Sequence, residues 1–176
     1  MAKNLRLRRE RRLEAARGYL ALEMPDHALE QLTSIEDPEN SPFAVNTLKG
    51  EALRQNHEYE AALRVFGRAL AEQPADTSVL LAMAWCYKRL DQLPRAIAAT
   101  EQAYRQNPDE PITLYNLSCY YALAGAKGKA LSWLGRALRM QKSLRDLIAH
   151  ESDFDQLRDD PDFRFVTSAA DLTGER

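Results

Sequence analysis

Apolar residues along this chain recur three and four positions apart, the spacing that places side chains on one face of an α-helix. The pattern runs from Leu80 through Ala84 to Tyr87, and it resumes at Ile97 after a break near residues 90–94. No comparable stretch alternates apolar and polar residues as a half-buried strand would. The pattern therefore predicts an all-α fold in which helices come in pairs.

The helix pairs repeat along the chain at a constant offset of 34 residues. Alanine recurs at this offset in Ala28, Ala62, Ala96 and Ala130. The same offset relates a bulky series, a small series, a second alanine series and two prolines: Tyr19, Leu53, Tyr87 and Tyr121; Ala16, Gly50, Ala84 and Ser118; Ala69, Ala103 and Ala137; Pro74 and Pro108. Small residues permit close approach where two helices cross. The registers therefore predict four units of two helices each.

Three prolines suited to a first helical position each follow a side-chain acceptor. Ser41 precedes Pro42, Glu110 precedes Pro111 and Asp160 precedes Pro161. These pairs predict capped helix starts.

A helical pair of 34 residues with these registers resembles the tetratricopeptide repeat family, over roughly residues 9–142. The resemblance implies an α-solenoid of antiparallel helix pairs. We expect a basic leader at 1–8, repeats at approximately 9–42, 43–76, 77–110 and 111–142, and a C-terminal cap at 143–176.

The last segment departs from the period and is similar to the closing element of many bacterial tetratricopeptide arrays, which favours a bacterial protein. A stacked array ends with an uncovered apolar face. Phe154, Leu157, Phe163 and Val166 are placed to cover it while the interleaved acids face water.

Charge is distributed unevenly, although the net charge is only −2. Residues 1–12 carry six basic groups and one acid, whereas residues 143–176 carry nine acids and four arginines. Two cysteines are too few for a disulfide framework, which indicates a reducing compartment. The longest apolar run, Val79 to Tyr87, cannot cross a bilayer. We therefore expect a cytoplasmic protein without membrane contact.

Candidate chemistry is sparse, and we expect neither an enzyme, nor a cofactor, nor a metal site. The acidic residues from Asp153 to Asp160 do not match a calcium loop, because Leu157 occupies a ligand position and the turn glycine is missing. The three histidines lie far apart in the sequence, without ligand spacing. Cys86 and Cys119 stand among apolar residues, which favours a packing role for both.

The resemblance implies that the first helix of each pair lines the concave side of the array. Helical geometry then places Leu81, Trp85 and Lys88 on a stripe that turns aromatic toward Tyr115 in the fourth unit. The predicted partner-binding residues are Arg54, Leu81, Trp85, Lys88, Arg89, Tyr115 and Asn116. Trp85 and Tyr115 with a positive rim suit a segment that carries an apolar side chain and an acidic group. Packing of Trp85 between units is the alternative.

These features predict a protein-binding adaptor or chaperone-like scaffold that holds a partner segment in a groove. Two alternatives stay open. One is nucleic-acid binding through the basic N-terminus, which is disfavoured because basic residues do not recur once per unit. The other is self-association or a regulatory domain.

Overall fold

The computed structural model of the chain describes residues 2–35 and 42–169, and within these ranges the regular elements are all helical. The first helices are α1 (Ala2–Ala21), α2 (Pro25–Thr33), α3 (Pro42–Gln55), α4 (Tyr59–Glu72) and α5 (Thr77–Arg89). They are followed by α6 (Leu93–Gln106), α7 (Pro111–Leu123), α8 (Lys127–Met140), α9 (Arg145–Ile148) and α10 (Pro161–Ala169), with 3-10 helices at Lys142–Leu144 and Ser152–Leu157. The predicted fold class is confirmed.

The chain forms two compact units, Met1–Leu90 and Asp91–Arg176. The first holds α1 to α5, in which α1 packs on α2 and α3 packs on α4. The second holds α6 to α10, in which α7 packs on α8 and also contacts the 3-10 helix Ser152–Leu157. Residues 2–8, expected as a leader, continue directly into α1.

The turn inside each repeat places one residue in the left-handed backbone region. The φ angles are 55° at Glu23, 63° at His57, 56° at Asp91 and 70° at Gly125, again 34 residues apart. In the first repeat the N–H of the next residue donates to the carbonyl of Tyr19 at 2.9 Å, as in a Schellman motif. In the first, second and fourth repeats this turn reverses the chain, so that α2 packs against α1, α4 against α3 and α8 against α7.

The alanines of the small-residue registers are buried. Ala28, Ala62, Ala96 and Ala130 each have 0% exposed surface. At Gly50 of α3, an added Cβ would lie 2.5 Å from two ring carbons of Phe66 on α4. Phe66 is among the largest fully buried side chains. In the pair of α3 and α4, the small residue therefore has the predicted steric role.

Helix starts use caps at fewer sites than the proline pattern suggests. The Asp160 carboxylate accepts from the backbone N–H of Asp162 at 2.9 Å, as expected. Glu110 precedes α7 without a side-chain cap bond, so that part of the expectation is wrong. Its longer side chain suits the cap geometry less well than Asp, Asn, Ser or Thr. Asp76, which precedes no proline, caps α5 through the N–H of Val79 at 2.8 Å. Ser41 lies outside the described residues.

The closing segment covers the last repeat. Phe154 and Phe163 are buried and lie 5.4 Å apart, measured between ring centroids. Phe154 packs edge-on against Tyr115 of α7 at 5.9 Å. Lys127 at the start of α8 pairs with Asp160 at 2.6 Å, which ties α10 to that helix. The C-terminal segment thus supplies the apolar cover that the uncapped repeat needs.

Candidate functional site

The first unit presents a half-buried tryptophan between two arginines. The guanidinium carbon of Arg54 lies 4.7 Å from the ring centroid of Trp85, and that of Arg89 lies 5.6 Å from it. Tyr59 approaches the same ring edge-on, with centroids 5.5 Å apart. Cation–π contacts of this kind hold arginine side chains over an aromatic face. The cluster therefore offers apolar surface and positive charge at one place.

A cleft of about 430 Å³ opens beside this cluster, lined by Glu23, Pro25, Arg54, Gln55, His57 and Trp85. Gln55 donates from Nε2 to the backbone carbonyl of Leu20 at 3.1 Å, which fixes the orientation of its amide. The Oε1 atom of Gln55 is buried and has no hydrogen-bond partner within the described parts of the chain. A buried acceptor without a partner costs free energy unless a donor reaches it. The cleft thus contains an acceptor suited to a ligand N–H group.

The two arginines differ in how they are held. The Nε of Arg54 donates to Glu51 at 2.9 Å, and its Nη2 donates to the other oxygen of the same carboxylate. This hydrogen bonding raises the pKa of Arg54 and fixes the guanidinium on the ring of Trp85. Arg89 is exposed at the end of α5. Arg89 is therefore the arginine of the cluster that can turn toward a ligand, whereas Arg54 has a positioning role.

Cys86 lies on α5 next to Trp85 and is fully buried. Burial raises the pKa of its thiol to about 11, and the nearby Arg54 charge opposes this increase only in part. A thiol with so high a pKa is scarcely ionised near neutral pH and is a poor nucleophile. The expected packing role for this cysteine agrees with its environment.

The predicted partner-binding residues are divided between the units. Arg54, Leu81, Trp85, Lys88 and Arg89 lie in the first unit, whereas Tyr115 and Asn116 lie in the second. Leu81, Trp85 and Lys88 are half-buried along α5, and Asn116 is half-buried on α7.

Tyr115 is only 3% exposed, because the closing segment places Phe154 against its ring. Cys119 on the same stripe is buried as well. In the second unit the expected aromatic stripe is therefore covered by the chain itself. The open part of the stripe is the one around Trp85.

The sequence did not single out four residues that line the cleft or Tyr59 beside it; the four are Glu23, Pro25, Gln55 and His57. His57 Nδ1 lies 2.7 Å from the hydroxyl of Tyr59, a contact that orders the turn before α4. His57 has a φ of 63°, and a histidine in this left-handed conformation has no sequence signature as clear as glycine. The feature of the sequence that could have indicated this cluster is the aromatic residue Tyr59 just after the turn.

A second charged surface lies on α1. Arg8, Arg9, Arg11 and Arg12 line a cleft of about 390 Å³ together with Leu5 and Ile35. Arg12 donates to Gln31 of α2, and Arg6 pairs with Glu10 at 2.8 Å. The basic residues at the start of the chain thus lie on the surface of helix α1.

Potential metal ligands come together at one place in the described residues. Cys119, Glu151 and Asp153 form this group beneath the closing segment. Within residues 2–35 and 42–169, no helix is both long and apolar enough to cross a membrane.

Comparisons with known proteins agree with this architecture. The tetratricopeptide repeat family matches residues 53–118. A curated relative, the phagocyte signaling-impaired protein of Drosophila pseudoobscura pseudoobscura, is 26% identical over 112 residues. That match covers 64% of this chain, which spans only 12% of the relative's length.

Solved structures share the fold at low identity. MamA from Desulfovibrio magneticus RS-1 superposes with a TM-score of 0.70 at 19% identity, over 77% of this chain and 76% of that one. Another MamA structure covers 99% of this chain and 96% of its own, with a TM-score of 0.69 at 15% identity. YrrB, described as a tetratricopeptide protein with an unusual peptide-binding site, has a TM-score of 0.64 at 22% identity, over 73% and 66% of the two chains. Residues 53–118 thus match the tetratricopeptide repeat family, and the paired helices have the fold of these solved tetratricopeptide structures.

Proposed function

We propose that the protein is an interaction scaffold whose first unit binds a segment of a partner protein in the cleft beside Trp85. The observation that carries this proposal is the half-buried Trp85 ring, flanked by Arg54 and Arg89 at the edge of a cleft. Binding hot spots are enriched in tryptophan, tyrosine and arginine in partly enclosed pockets. Trp85, Tyr59 and Arg89 supply these three residue types at one place.

The chemistry of the cleft specifies the bound segment. An apolar side chain packs on the exposed part of Trp85, and a carboxylate lies beside the guanidinium of Arg89. A backbone N–H of the segment donates to Oε1 of Gln55, which satisfies the buried acceptor. These contacts favour an extended peptide with an acidic residue close to an apolar one. Because Arg54 is already paired with Glu51, it contributes less to the attraction than Arg89.

Selection from a displayed peptide library tests this proposal. The intact protein is the bait, and the enriched sequences are expected to combine an acidic residue with a neighbouring apolar one. Trp85→Ala and Arg89→Gln should each weaken binding of an enriched peptide by at least about tenfold, as expected for residues that contribute more than about 1 kcal/mol. Arg64→Gln is the matched control, because Arg64 is an exposed arginine on α4 and does not line the cleft.

Two results would overturn the proposal. One is enrichment of peptides whose affinity is the same for the parent and both cleft variants. The other is the loss of affinity in Arg64→Gln to the same extent as in Arg89→Gln, which would show a general charge effect.

The arginines of α1 favour a second candidate, the binding of a polyanion such as RNA. Four arginines lining one cleft give a dense positive surface, and such binding weakens steeply as salt rises, because counterions are released from phosphates. Replacement of Arg8, Arg9, Arg11 and Arg12 by glutamine should then abolish RNA binding and leave peptide binding at Trp85 unchanged. Absence of RNA binding by the parent at low salt would exclude this candidate.

A further inference from the structure

The turn of the first repeat brings a carboxylate and an amide oxygen to the same end of the Trp85 cleft. The backbone carbonyl of Leu20 accepts from the N–H of Glu23 at 3.1 Å and from Nε2 of Gln55 at 3.1 Å. This shared carbonyl holds the Gln55 amide against the turn that carries Glu23. Glu23 and Gln55 both line the cleft. This end of the cleft therefore combines a negative charge with the buried acceptor of Gln55.

Glu23 has a backbone conformation that glutamate rarely adopts. Its φ angle is 55°, and the equivalent residue of the fourth repeat is Gly125, with a φ of 70°. A side chain in this left-handed region costs free energy that glycine avoids. The Glu23 side chain is exposed and makes no hydrogen bond or ion pair within residues 2–35 and 42–169. Backbone strain that no local contact offsets is typical of functional positions.

The other charges of the first unit give the cleft a polarity. The charge of Arg54 is paired with Glu51, whereas Arg89 is exposed at the end of α5 and lies over the ring of Trp85. Helix α3 contacts both α1 and α5, so it lies between the turn after α1 and the end of α5. The negative charge of Glu23 therefore lies on one side of α3, and the positive charge of Arg89 lies on the other.

We propose that the segment bound in this cleft carries a lysine or an arginine that pairs with Glu23, in addition to the acidic residue that pairs with Arg89. This inference rests on the peptide binding proposed above, and it adds a basic residue and a direction to the bound sequence. The backbone hydrogen bond to Oε1 of Gln55 places the segment beside the Glu23 carboxylate. A basic side chain has several N–H donors that the carboxylate can accept. Glu23 is thus a specificity-determining residue of the cleft.

The separation of the two charges limits the sequences that fit. Packed helices lie about 8–10 Å apart, so α1 and α5 on the two sides of α3 are about 16–20 Å apart. An extended chain advances about 3.3 Å per residue, so the basic and acidic residues should be at most about six positions apart. The apolar residue that packs on Trp85 lies between them.

Charge exchange between Glu23 and the peptide tests the inference. Calorimetry at low ionic strength compares an enriched peptide with two derivatives, in which its basic residue is replaced by glutamine or by glutamate. Glu23→Gln should weaken binding of the original peptide by about two- to fivefold, the range of an exposed ion pair, and leave the glutamine derivative unaffected. Glu23→Lys should bind the glutamate derivative more tightly than the original peptide. Because misfolding would weaken all three peptides alike, this reversal reports a direct contact.

Two further variants separate this contact from a general charge effect and from the binding proposed above. Glu30→Gln is the matched control, because Glu30 is an exposed acid on α2 that does not line the cleft, and it should bind all three peptides as the parent does. If Trp85→Ala loses affinity while Glu23→Gln retains it, segment binding at Trp85 stands and the role of Glu23 is overturned. Enriched peptides that lack a basic residue within about six positions of the acid would also overturn it. Absence of any enriched peptide would overturn both proposals.

Discussion

Replacing Gly50 by alanine tests the closest helix contact in the first unit. The added Cβ would lie 2.5 Å from Cδ1 and Cε1 of Phe66 and 2.9 Å from Cζ. Phe66 is 1% exposed, so its ring can move away only by displacing other buried side chains. Overpacking of this kind costs about 1–3 kcal/mol. The better helix propensity of alanine returns up to about 1 kcal/mol. We therefore expect the free energy of unfolding to fall by about 1–2 kcal/mol.

Gly67 supplies a control with the opposite sign. It lies inside α4 and is exposed, and no atom lies within 4 Å of the position of an added Cβ. The same methyl group should therefore stabilise the protein by about 0.5–1 kcal/mol, through a smaller entropy loss on folding. Urea unfolding followed by far-ultraviolet circular dichroism measures both variants against the parent. A Gly50→Ala variant as stable as Gly67→Ala would refute the steric reasoning.

A second substitution tests whether the Phe66 ring is the cause. The residues 34 positions before Phe66 and 68 positions after it are Leu32 and Leu134, so leucine is accepted at this register. Phe66→Leu should cost less in the Gly50→Ala background than in the parent, because it relieves the collision. The coupling energy should be at least about 0.5 kcal/mol, as is usual for residues in contact. If the changes in unfolding free energy of the two substitutions are strictly additive, the added methyl group does not collide with the Phe66 ring.

Three further predictions concern the turns, the closing segment and the buried thiol. Glu23→Gly should stabilise the first unit by up to about 1 kcal/mol, since glycine tolerates its positive φ, whereas Gly125→Ala should destabilise the second by a similar amount; unfolding midpoints that move the other way would contradict this. Lys127 lowers the pKa of Asp160 below its ordinary value of 3.8, and the bond raises that of Lys127 above 10.5. The stability that this pair adds is lost as pH falls through the folded-state pKa of Asp160, and also as pH rises through the folded-state pKa of Lys127. The urea midpoints of the parent and Lys127→Gln should therefore differ near pH 7 and converge at both extremes of pH. Cys86 should react with a thiol reagent at pH 7 only as fast as the protein unfolds, and rapid labelling of the native protein would contradict its burial.

The helix pairs were predictable from the sequence because their determinants are local or periodic. Close helix crossings require small residues. The alanines that recur every 34 positions, such as Ala62 and Ala130, therefore identify which helices form a pair. The turns were harder to predict, since Glu23 and His57 adopt the left-handed conformation without being glycine. Their conformation follows from the packing of the flanking helices, which a single sequence does not display.

The site was predictable only in part, for a reason visible on α7. Its apolar residues surround the whole helix, which is the pattern of a helix covered on all sides. Tyr115 was assigned to an open groove because the repeat register alone does not show that Phe154 covers it. The convergence of Cys119 with Glu151 and Asp153 depends on the same fold of the closing segment, more than thirty residues further along the chain. Trp85 differs from Tyr115 because the cleft lined by Gln55 opens beside its ring.

Emission from Trp85 during a peptide titration is the most direct test of the proposed binding surface. The protein has two tryptophans, so Trp133→Phe leaves Trp85 as the only one. We predict a saturable change in its emission on titration with an enriched peptide, with a dissociation constant that agrees with calorimetry and rises with ionic strength or on Arg89→Gln. If calorimetry shows saturating binding while the emission of Trp85 is unchanged, the peptide binds elsewhere, and the assignment of this cleft is contradicted.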